Sequence, residues 1–271
     1  MLDYDPVKDR MQRFLGESVL ARRLFFAALD RLFLRSRYVW REMRRLKRRG
    51  FTPVHILDAG SGFGQYSFRL GRIFPRAQIL GLDVKQDLVD SGNRFASRAG
   101  AAKVAFQAGD LLKMDFAGRF DLALSVDVLE HIEDDRAMIR NIGASLKPGG
   151  LFVLTTPYWP GTPESASQVF VGEHVRPGYS RQDLQEKLNQ AGLELERFDI
   201  TYGPAGNVAW KLLQRGPMSW LAKRIWLAPL VGLYFLAAYP VAWVFMHLDM
   251  AAHNDRGGGI LAVARKRPVI Q

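Results

Sequence analysis

The sequence of 271 residues contains no cysteine. This absence excludes disulfide bonds, thiolate metal sites and cysteine nucleophiles together. The chain also lacks the basic N-terminus with which a secretory signal begins, since it opens with the acidic segment Met1–Asp5. We therefore expect a cytoplasmic protein without covalent cross-links, in which the 48% of hydrophobic residues bury one sizeable core.

Acidic residues are scarce in one part of the chain. From Arg10 to Gly50 there are 13 basic and 3 acidic residues, a net charge of +10, whereas the whole protein carries +11. A nucleic-acid enzyme usually carries positive charge on its catalytic part as well, and here the remainder is close to neutral. We therefore expect residues 1–50 to form a basic N-terminal extension, helical from Arg10 to Arg49, and we do not expect a nucleic acid partner.

Runs of β-forming residues alternate with helical patterns after this segment. The predicted strands are Val54–Ala59, Gln78–Asp83, Val104–Ala108, Phe120–Val126, Leu151–Thr155, Leu193–Thr201 and Gly259–Lys266. Strands that alternate with helices form a parallel sheet with helices on both faces. The sequence therefore predicts an α/β fold, with a core over residues 51–202 and a last strand and tail over residues 257–271.

A glycine-rich turn follows the first predicted strand directly. Gly60, Gly62 and Gly64 lie between this strand and the next helix, where the absence of a Cβ lets a ligand approach the backbone. The second strand ends in Asp83, 23 positions after Gly60, where a carboxylate can accept hydrogen bonds from both hydroxyls of a ribose. The third strand ends near Asp110, whose carboxylate can meet an adenine amino group. Together these features predict a cofactor site.

At these positions the sequence resembles the class I S-adenosylmethionine-dependent methyltransferases. The matching segments are Leu57–Gly64, Gly81–Asp83, Gly109–Asp110, Phe120–Ser125 and Leu146–Gly150. The resemblance implies a mostly parallel, Rossmann-like sheet of seven strands and S-adenosylmethionine as the cofactor. It also implies a cofactor-binding set of Asp58, Gly60, Gly62, Gly64, Asp83, Asp110, Leu111 and Asp127.

A dinucleotide-dependent reductase is the alternative for such a turn. Its fingerprint requires a third glycine three positions after the second, and Gln65 stands there instead. A single aspartate at a strand end is usually an ordinary turn residue, but Asp83 and Asp110 occur in register with the glycines. The methyltransferase interpretation is therefore favoured.

Two histidines follow segments that should border the methyl donor. His131 comes after the fourth strand, and His174 precedes a helix predicted to begin at Ser180. Methyl transfer from a sulfonium requires the enzyme to position the acceptor and, for a hydroxyl, to remove its proton. Histidine titrates near neutrality, so we expect His131 and His174 to be the catalytic residues. The Asn/Asp-Pro-Pro-aromatic motif of base N-methylation is absent.

The same histidines also belong to a possible metal set. It comprises Asp127, Glu130, His131 and His174. The set resembles the divalent-metal site of ubiquinone-biosynthesis O-methyltransferases and small-RNA 2′-O-methyltransferases, where the ion activates the acceptor oxygen. Asp127 replaces the usual first glutamate and has a shorter reach. Leu-Glu-His is also common in methyltransferases that use no metal, so we expect Glu130 and His131 to organise the loop rather than bind an ion.

Residues 203–256 form a long insertion between the last two predicted strands. Within it, the 22 residues from Ile225 to Met246 contain no Asp, Glu, Lys, Arg or His, which is enough for a helix to cross a bilayer core. The flanking strands belong to one sheet, so both ends of the insertion lie on the same side of any membrane. A single crossing is therefore excluded.

Two interpretations of the insertion remain. It forms a re-entrant or interfacial apolar hairpin with bends at Pro229, Gly232 and Pro240, or a lid that packs on the domain and the N-terminal helices. Tryptophans, a basic pair at the edge and the basic N-terminal helices favour the membrane. The tryptophans are Trp210, Trp220, Trp226 and Trp243, and the basic pair is Lys223-Arg224.

The sequence therefore predicts a methyltransferase at the cytoplasmic membrane surface that acts on an apolar or lipid-linked acceptor, at oxygen. The alternatives are a soluble RNA methyltransferase that uses the basic helices to bind RNA, and a membrane-assembly subunit that binds S-adenosylmethionine without catalysis.

Overall fold

One sheet organises the protein. The computed structural model describes residues 18–161, 174–217 and 228–268. Seven strands occur in this part of the chain: β1 (His55–Ala59), β2 (Gln78–Asp83), β3 (Val104–Ala108), β4 (Phe120–Val126), β5 (Leu146–Pro157), β6 (Leu193–Thr201) and β7 (Gly259–Lys266). Their spatial order is β3-β2-β1-β4-β5-β7-β6, and β7 runs antiparallel to both of its neighbours. The other pairs are parallel, which confirms the predicted fold class.

Helices pack on both faces of the sheet. In the described ranges they are α1 (Val19–Leu32), α2 (Leu34–Arg48), α3 (Gln65–Ile73), α4 (Gln86–Arg98), α5 (Asp135–Ser145), α6 (Arg181–Gln190), α7 (Pro204–Trp210) and α8 (Ala228–Ala251). Successive strand residues alternate between two apolar clusters, with Ile56 in one and Leu57 in the other. The predicted start of α6 is confirmed, because the Ser180 side chain accepts a hydrogen bond from the Asp183 amide.

The N-terminal helices belong to the core. The buried residues of α2 include Tyr38, Val39, Trp40, Met43 and Leu46. The segment predicted as an extension therefore supplies a core helix. The predicted helical stretch from Arg10 to Arg49 is divided at residue 33, where the backbone is extended, and residues 10–17 lie outside the described ranges.

The insertion contributes α7, a π-helical turn over Lys211–Arg215, and α8. α8 continues through Gly232 and Pro240, so the chain makes no hairpin turn at either residue. Both residues are exposed. Pro229 falls in the first turn of α8, where proline is tolerated. Residues 218–227, which include Trp220, Trp226 and the basic pair, lie outside the described ranges.

A buried carboxylate fixes the C-terminal end of α8. Asp249 is fully buried and accepts hydrogen bonds from the Tyr38 hydroxyl (2.9 Å) and the Gly206 amide (3.0 Å). One side chain thereby joins α8 to α2 and α7. β6 and β7 pair in one sheet, as predicted. Both ends of the insertion must therefore lie on the same side of any membrane.

Candidate active site

The glycine-rich turn between β1 and α3 adopts a conformation that glycine favours. Gly60, Gly62 and Gly64 have φ values of +77°, +50° and +81°. The Gly62 amide donates a 2.8 Å hydrogen bond to Asp83 Oδ2 at the end of β2. A Cβ on Gly60 would lie 2.5 Å from the Val128 side chain, whereas one on Gly62 would meet nothing within 4 Å. The turn is thus packed on one side and leaves open space beside Gly62.

Two aspartates lie at the adjoining strand ends. Asp83 Oδ1 accepts a hydrogen bond from the Lys85 amide (3.0 Å), which fixes the carboxylate. Asp110 Oδ1 accepts one from the Leu112 amide (2.9 Å), and its side chain is 37% exposed. Both carboxylates keep lone pairs for a ligand. The Ser61 hydroxyl, in the turn itself, is buried and has no partner among the described residues. Together these groups fit an adenosine-containing ligand.

Two other residues of the predicted cofactor set, Asp58 and Leu111, have side chains that are buried in the protein. The Asp58 side chain is buried and accepts a hydrogen bond from the Ser67 hydroxyl. Burial raises the pKa of Asp58 to about 7. The Leu111 side chain packs in the core. Asp58 and the Leu111 side chain therefore support the site, and any contact of Leu111 with a ligand would come from its backbone.

A cavity of about 780 Å³ lies beyond the ends of β4, β5 and β6. Asp127 and His174 line it, whereas His131 does not. The aromatic residues of its wall are Tyr38, Tyr158, Trp159, Tyr202 and Trp210. Trp210 and Gln214 come from α7 and the π-helical turn, so the insertion builds part of the wall.

The two predicted catalytic histidines are neighbours. The ring centroids of His131 and His174 are 4.8 Å apart in an edge-to-face arrangement. The Val175 amide donates a hydrogen bond to the Glu130 carbonyl (2.9 Å), which joins the two segments that carry them. Burial, and then the charge of His131, lower the pKa of His174. His174 is therefore neutral at pH 7 and can accept a proton at the cavity wall.

Glu130 completes a cluster with the two histidines. One ligand atom from each of Glu130, His131 and His174 lies within 4.8 Å of the others, a spacing that a divalent cation could bridge. Burial and Asp127 raise the pKa of Glu130 to about 8, and a bound cation would lower it again. The fourth predicted ligand, Asp127, is paired with the Arg35 guanidinium. Glu130, His131 and His174 therefore fit a metal by distance, and the reaction proposed below uses none.

Arg35 is a residue of the cavity that the sequence did not predict. Its guanidinium pairs with Asp127 Oδ2, while Asp127 Oδ1 accepts a 2.7 Å hydrogen bond from the Thr155 hydroxyl. The Arg35 amide donates to the Tyr202 hydroxyl (3.1 Å). Asp127 and Tyr202 have φ values of +52° and +55°, and such strain is common at functional sites. The start of α2 therefore holds both strained residues at the cavity wall. Only the tertiary packing of α2 brings Arg35 there.

Comparison with known proteins gives a consistent set of similarities. A family model described as a methyltransferase domain matches residues 52–201. The chain is 29% identical over 183 residues to the ubiquinone biosynthesis O-methyltransferase of Xanthomonas axonopodis pv. citri (strain 306), covering 62% of this chain and 74% of that enzyme. It is 27% identical over 150 residues to an O-methyltransferase of Aspergillus sclerotiorum, covering 53% of this chain and 56% of that protein. The chain thus spans about half the length of the fungal relative.

The fold is similar to solved structures at low sequence identity. Phosphoethanolamine N-methyltransferase 2 of Haemonchus contortus, in complex with S-adenosyl-L-methionine, has a TM-score of 0.58 at 19% identity, covering 84% of this chain and 53% of that chain. Geranyl diphosphate C-methyltransferase of Streptomyces coelicolor A3(2) has a TM-score of 0.54 at 17% identity, covering 79% and 71%. These similarities concern the fold alone.

Proposed function

Because the chain belongs to the methyltransferase-domain family of class I S-adenosylmethionine-dependent enzymes, we propose that it methylates an oxygen atom of an apolar or lipid-linked acceptor at a membrane surface. The predicted enzyme class and the predicted cofactor are confirmed by the family match and by the neighbours that bind this cofactor. The chemical class of the acceptor and the action at a membrane surface are what we propose.

The cavity is the observation that carries the choice of acceptor. Its wall carries five aromatic side chains, and its polar residues include Asp127 and His174 as well as the cations Arg35 and Arg256. The apolar body of an acceptor would lie against the aromatic side chains, with its hydroxyl at Asp127 and His174. A highly charged RNA backbone would have to leave its water shell to enter such a cavity.

The chemistry is an in-line displacement. A new O–CH₃ bond would form as the C–S⁺ bond of the cofactor breaks. The electron pair of the broken bond would stay on sulfur, which leaves the neutral thioether of S-adenosylhomocysteine. The proton of the acceptor hydroxyl passes to an imidazole and then to solvent. His174 is placed for this step because it lines the cavity and is neutral at pH 7. His131 is more exposed and adjoins it, which suits transfer of the proton to water.

The exposed face of α8 supports the proposal that the protein works at a membrane. Leu230–Ala251 has a mean hydropathy of 1.6 and only 22% of its apolar stretch is buried, unlike the core helix of a soluble protein. The inner face packs on the domain. The exposed face carries Leu230, Leu233, Leu236, Val241, Trp243, Val244 and Leu248, each between 44% and 74% exposed. An apolar face of this length on a helix that lies along the domain suits insertion parallel to the membrane plane.

The basic N-terminal helices contribute less than their charge suggests. Arg41 and Arg45 pair with carboxylates of the protein, which reduces the charge available to lipid headgroups. The exposed arginines of α2 and its C-cap are Arg44, Arg48 and Arg49. They lie toward the C-terminal end of this helix, whereas Arg35, which lines the cavity, lies at its start. Attachment should therefore depend mainly on α8 and should survive high salt.

Asp83 provides a direct test of the cofactor site. Asp83→Ala should weaken S-adenosylmethionine binding roughly 10- to 100-fold, because it removes the charged acceptor to which the ribose hydroxyls donate hydrogen bonds. Asp90→Ala is the matched control, since Asp90 is exposed and its side chain bonds Gln86 of the same helix. Calorimetry that finds the same affinity in Asp83→Ala as in the wild type would rule out the ribose assignment.

The acceptor class can be tested with methyl-labelled S-adenosylmethionine. We expect the protein to transfer label to a lipid extract of its source cells, and the product to partition into the organic phase as a methyl ether. Total RNA from the same cells is the parallel substrate. Label in RNA would favour the RNA methyltransferase, and no transfer to either by protein that binds the cofactor would favour a non-catalytic subunit. Both outcomes would contradict the proposal.

A further inference from the structure

Arg22 of α1 is a buried arginine outside the family-matched region. Its residue is only 9% exposed, and its guanidinium lies over the rings of Phe26 (5.6 Å) and Phe95 (4.8 Å). Desolvation, and then the charge of Arg94, lower the pKa of Arg22 to about 10. The side chain therefore remains charged at neutral pH. A buried charge is costly unless its donors are satisfied, so its partners indicate what the position requires.

The hydrogen bonds of Arg22 lead to the cofactor turn. One guanidinium nitrogen donates to the Phe63 carbonyl (2.8 Å), and the other donates to the Ser91 carbonyl (3.0 Å) and hydroxyl (2.8 Å). Phe63 stands between Gly62 and Gly64 in the turn, and Ser91 lies on α4, the helix that follows Asp83. The Phe25 ring also contacts the Phe63 ring edge-on, at 6.4 Å.

These contacts connect the glycine turn to α4, the helix that follows Asp83. The turn leaves open space for a ligand beside Gly62, and the Lys85 amide holds Asp83 independently of the turn. The three glycines provide no side chains of their own to hold the turn, although Val128 and Phe106 pack against Gly60 and Gly64. An external donor that holds the Phe63 carbonyl would preserve the turn in its binding conformation.

We infer that Arg22 is a positioning residue for S-adenosylmethionine: it holds the glycine turn in its binding conformation. By the family resemblance, Gly60, Gly62 and Gly64 of this turn line the amino-acid end of the cofactor. The basic charge of α1 at this position thus serves the active site. Arg22 touches neither the acceptor cavity nor the two histidines, so this role is separate from methyl transfer itself and from the membrane proposal.

Substitution by methionine tests the role while keeping most of the apolar packing. In full-length Arg22→Met, calorimetry should show S-adenosylhomocysteine binding weakened roughly tenfold, from the loss of charge-assisted hydrogen bonds to the turn. Binding of 5′-methylthioadenosine, which lacks the amino-acid end, should change less than about twofold, because Asp83 and Asp110 hold its ribose and adenine. Arg23→Met is the matched control, since exposed Arg23 makes one long contact of 3.4 Å with the Ala99 carbonyl.

Two milder variants, Arg22→Lys and Ser91→Ala, distinguish the loss of this contact from a folding defect. Lysine keeps the charge and can reach one of the two segments, so its affinity should lie between those of wild type and Arg22→Met. Ser91→Ala removes one acceptor and should weaken binding about two- to threefold. Equal loss of affinity for both ligands would assign Arg22 a general structural role. Unchanged affinity for S-adenosylhomocysteine in Arg22→Met and Arg22→Lys would overturn the inference.

Discussion

Replacement of His174 by alanine is expected to lower kcat roughly a hundredfold or more, the usual effect of losing a general base. His174 lines the acceptor cavity and its lowered pKa keeps it neutral at pH 7. His131→Ala should lower kcat by a similar factor if the two imidazoles pass the proton in turn. Binding of S-adenosylmethionine should stay within about twofold of wild type in both variants, because neither histidine belongs to the predicted cofactor-binding set.

The control for this pair is His253→Ala, which removes an exposed histidine outside the cavity. Rates should be measured at saturating cofactor, with the lipid extract or an acceptor purified from it. Near-normal kcat in both His131→Ala and His174→Ala would contradict a catalytic role for the pair.

Chelation distinguishes a base from a metal at the same residues. We expect activity to persist in excess EDTA, because Asp127, the fourth predicted ligand, is paired with the Arg35 guanidinium and the proposed proton transfer to His174 needs no ion. Loss of activity in EDTA that Mn²⁺ or Zn²⁺ restores would show instead that Glu130, His131 and His174 bind a metal.

The cofactor half of the site was predictable because its signals are local. A glycine that must take positive φ, or an aspartate at a strand end, is visible within a few residues, and parallel strands bring their C-terminal ends to one edge. The strands that the sequence predicted from Gln78 to Asp83 and from Phe120 to Val126 match the structure exactly in their bounds. The sequence could not show that Asp58 is buried and bonds Ser67, because such a carboxylate has the same sequence signal as one that faces a ligand.

The acceptor half was less predictable because it depends on packing between distant segments. Arginines interrupt the apolar pattern of α2, so its burial and the position of Arg35 follow only from the fold. In α8 the difficulty is the opposite. A helix that is apolar all round carries no periodic signal to indicate which face packs on the domain, and the buried Asp249 near its end supplies the missing constraint.

The second large effect concerns the exposed face of α8. Leu233 and Leu236 are 66% and 74% exposed, so glutamate at both positions should leave the fold intact. If this face lies in a bilayer, the double substitution removes two buried leucines and adds two charges, and partition to membranes should fall roughly a hundredfold or more. Point substitutions are preferable to deletion of the helix, because its inner residues Ala242 and Met246 are fully buried in the core.

Liposome flotation with these variants tests most directly whether the enzyme binds a membrane surface through α8. The wild type should float with anionic liposomes and stay bound in high salt. Leu233→Glu/Leu236→Glu should remain at the bottom of the gradient while it binds S-adenosylmethionine normally. The matched control, Leu20→Glu/Leu24→Glu, changes two leucines of similar exposure (68% and 61%) on α1 and should float like the wild type. A wild-type protein that ignores liposomes, or an α8 variant that floats as well as the wild type, would contradict the account.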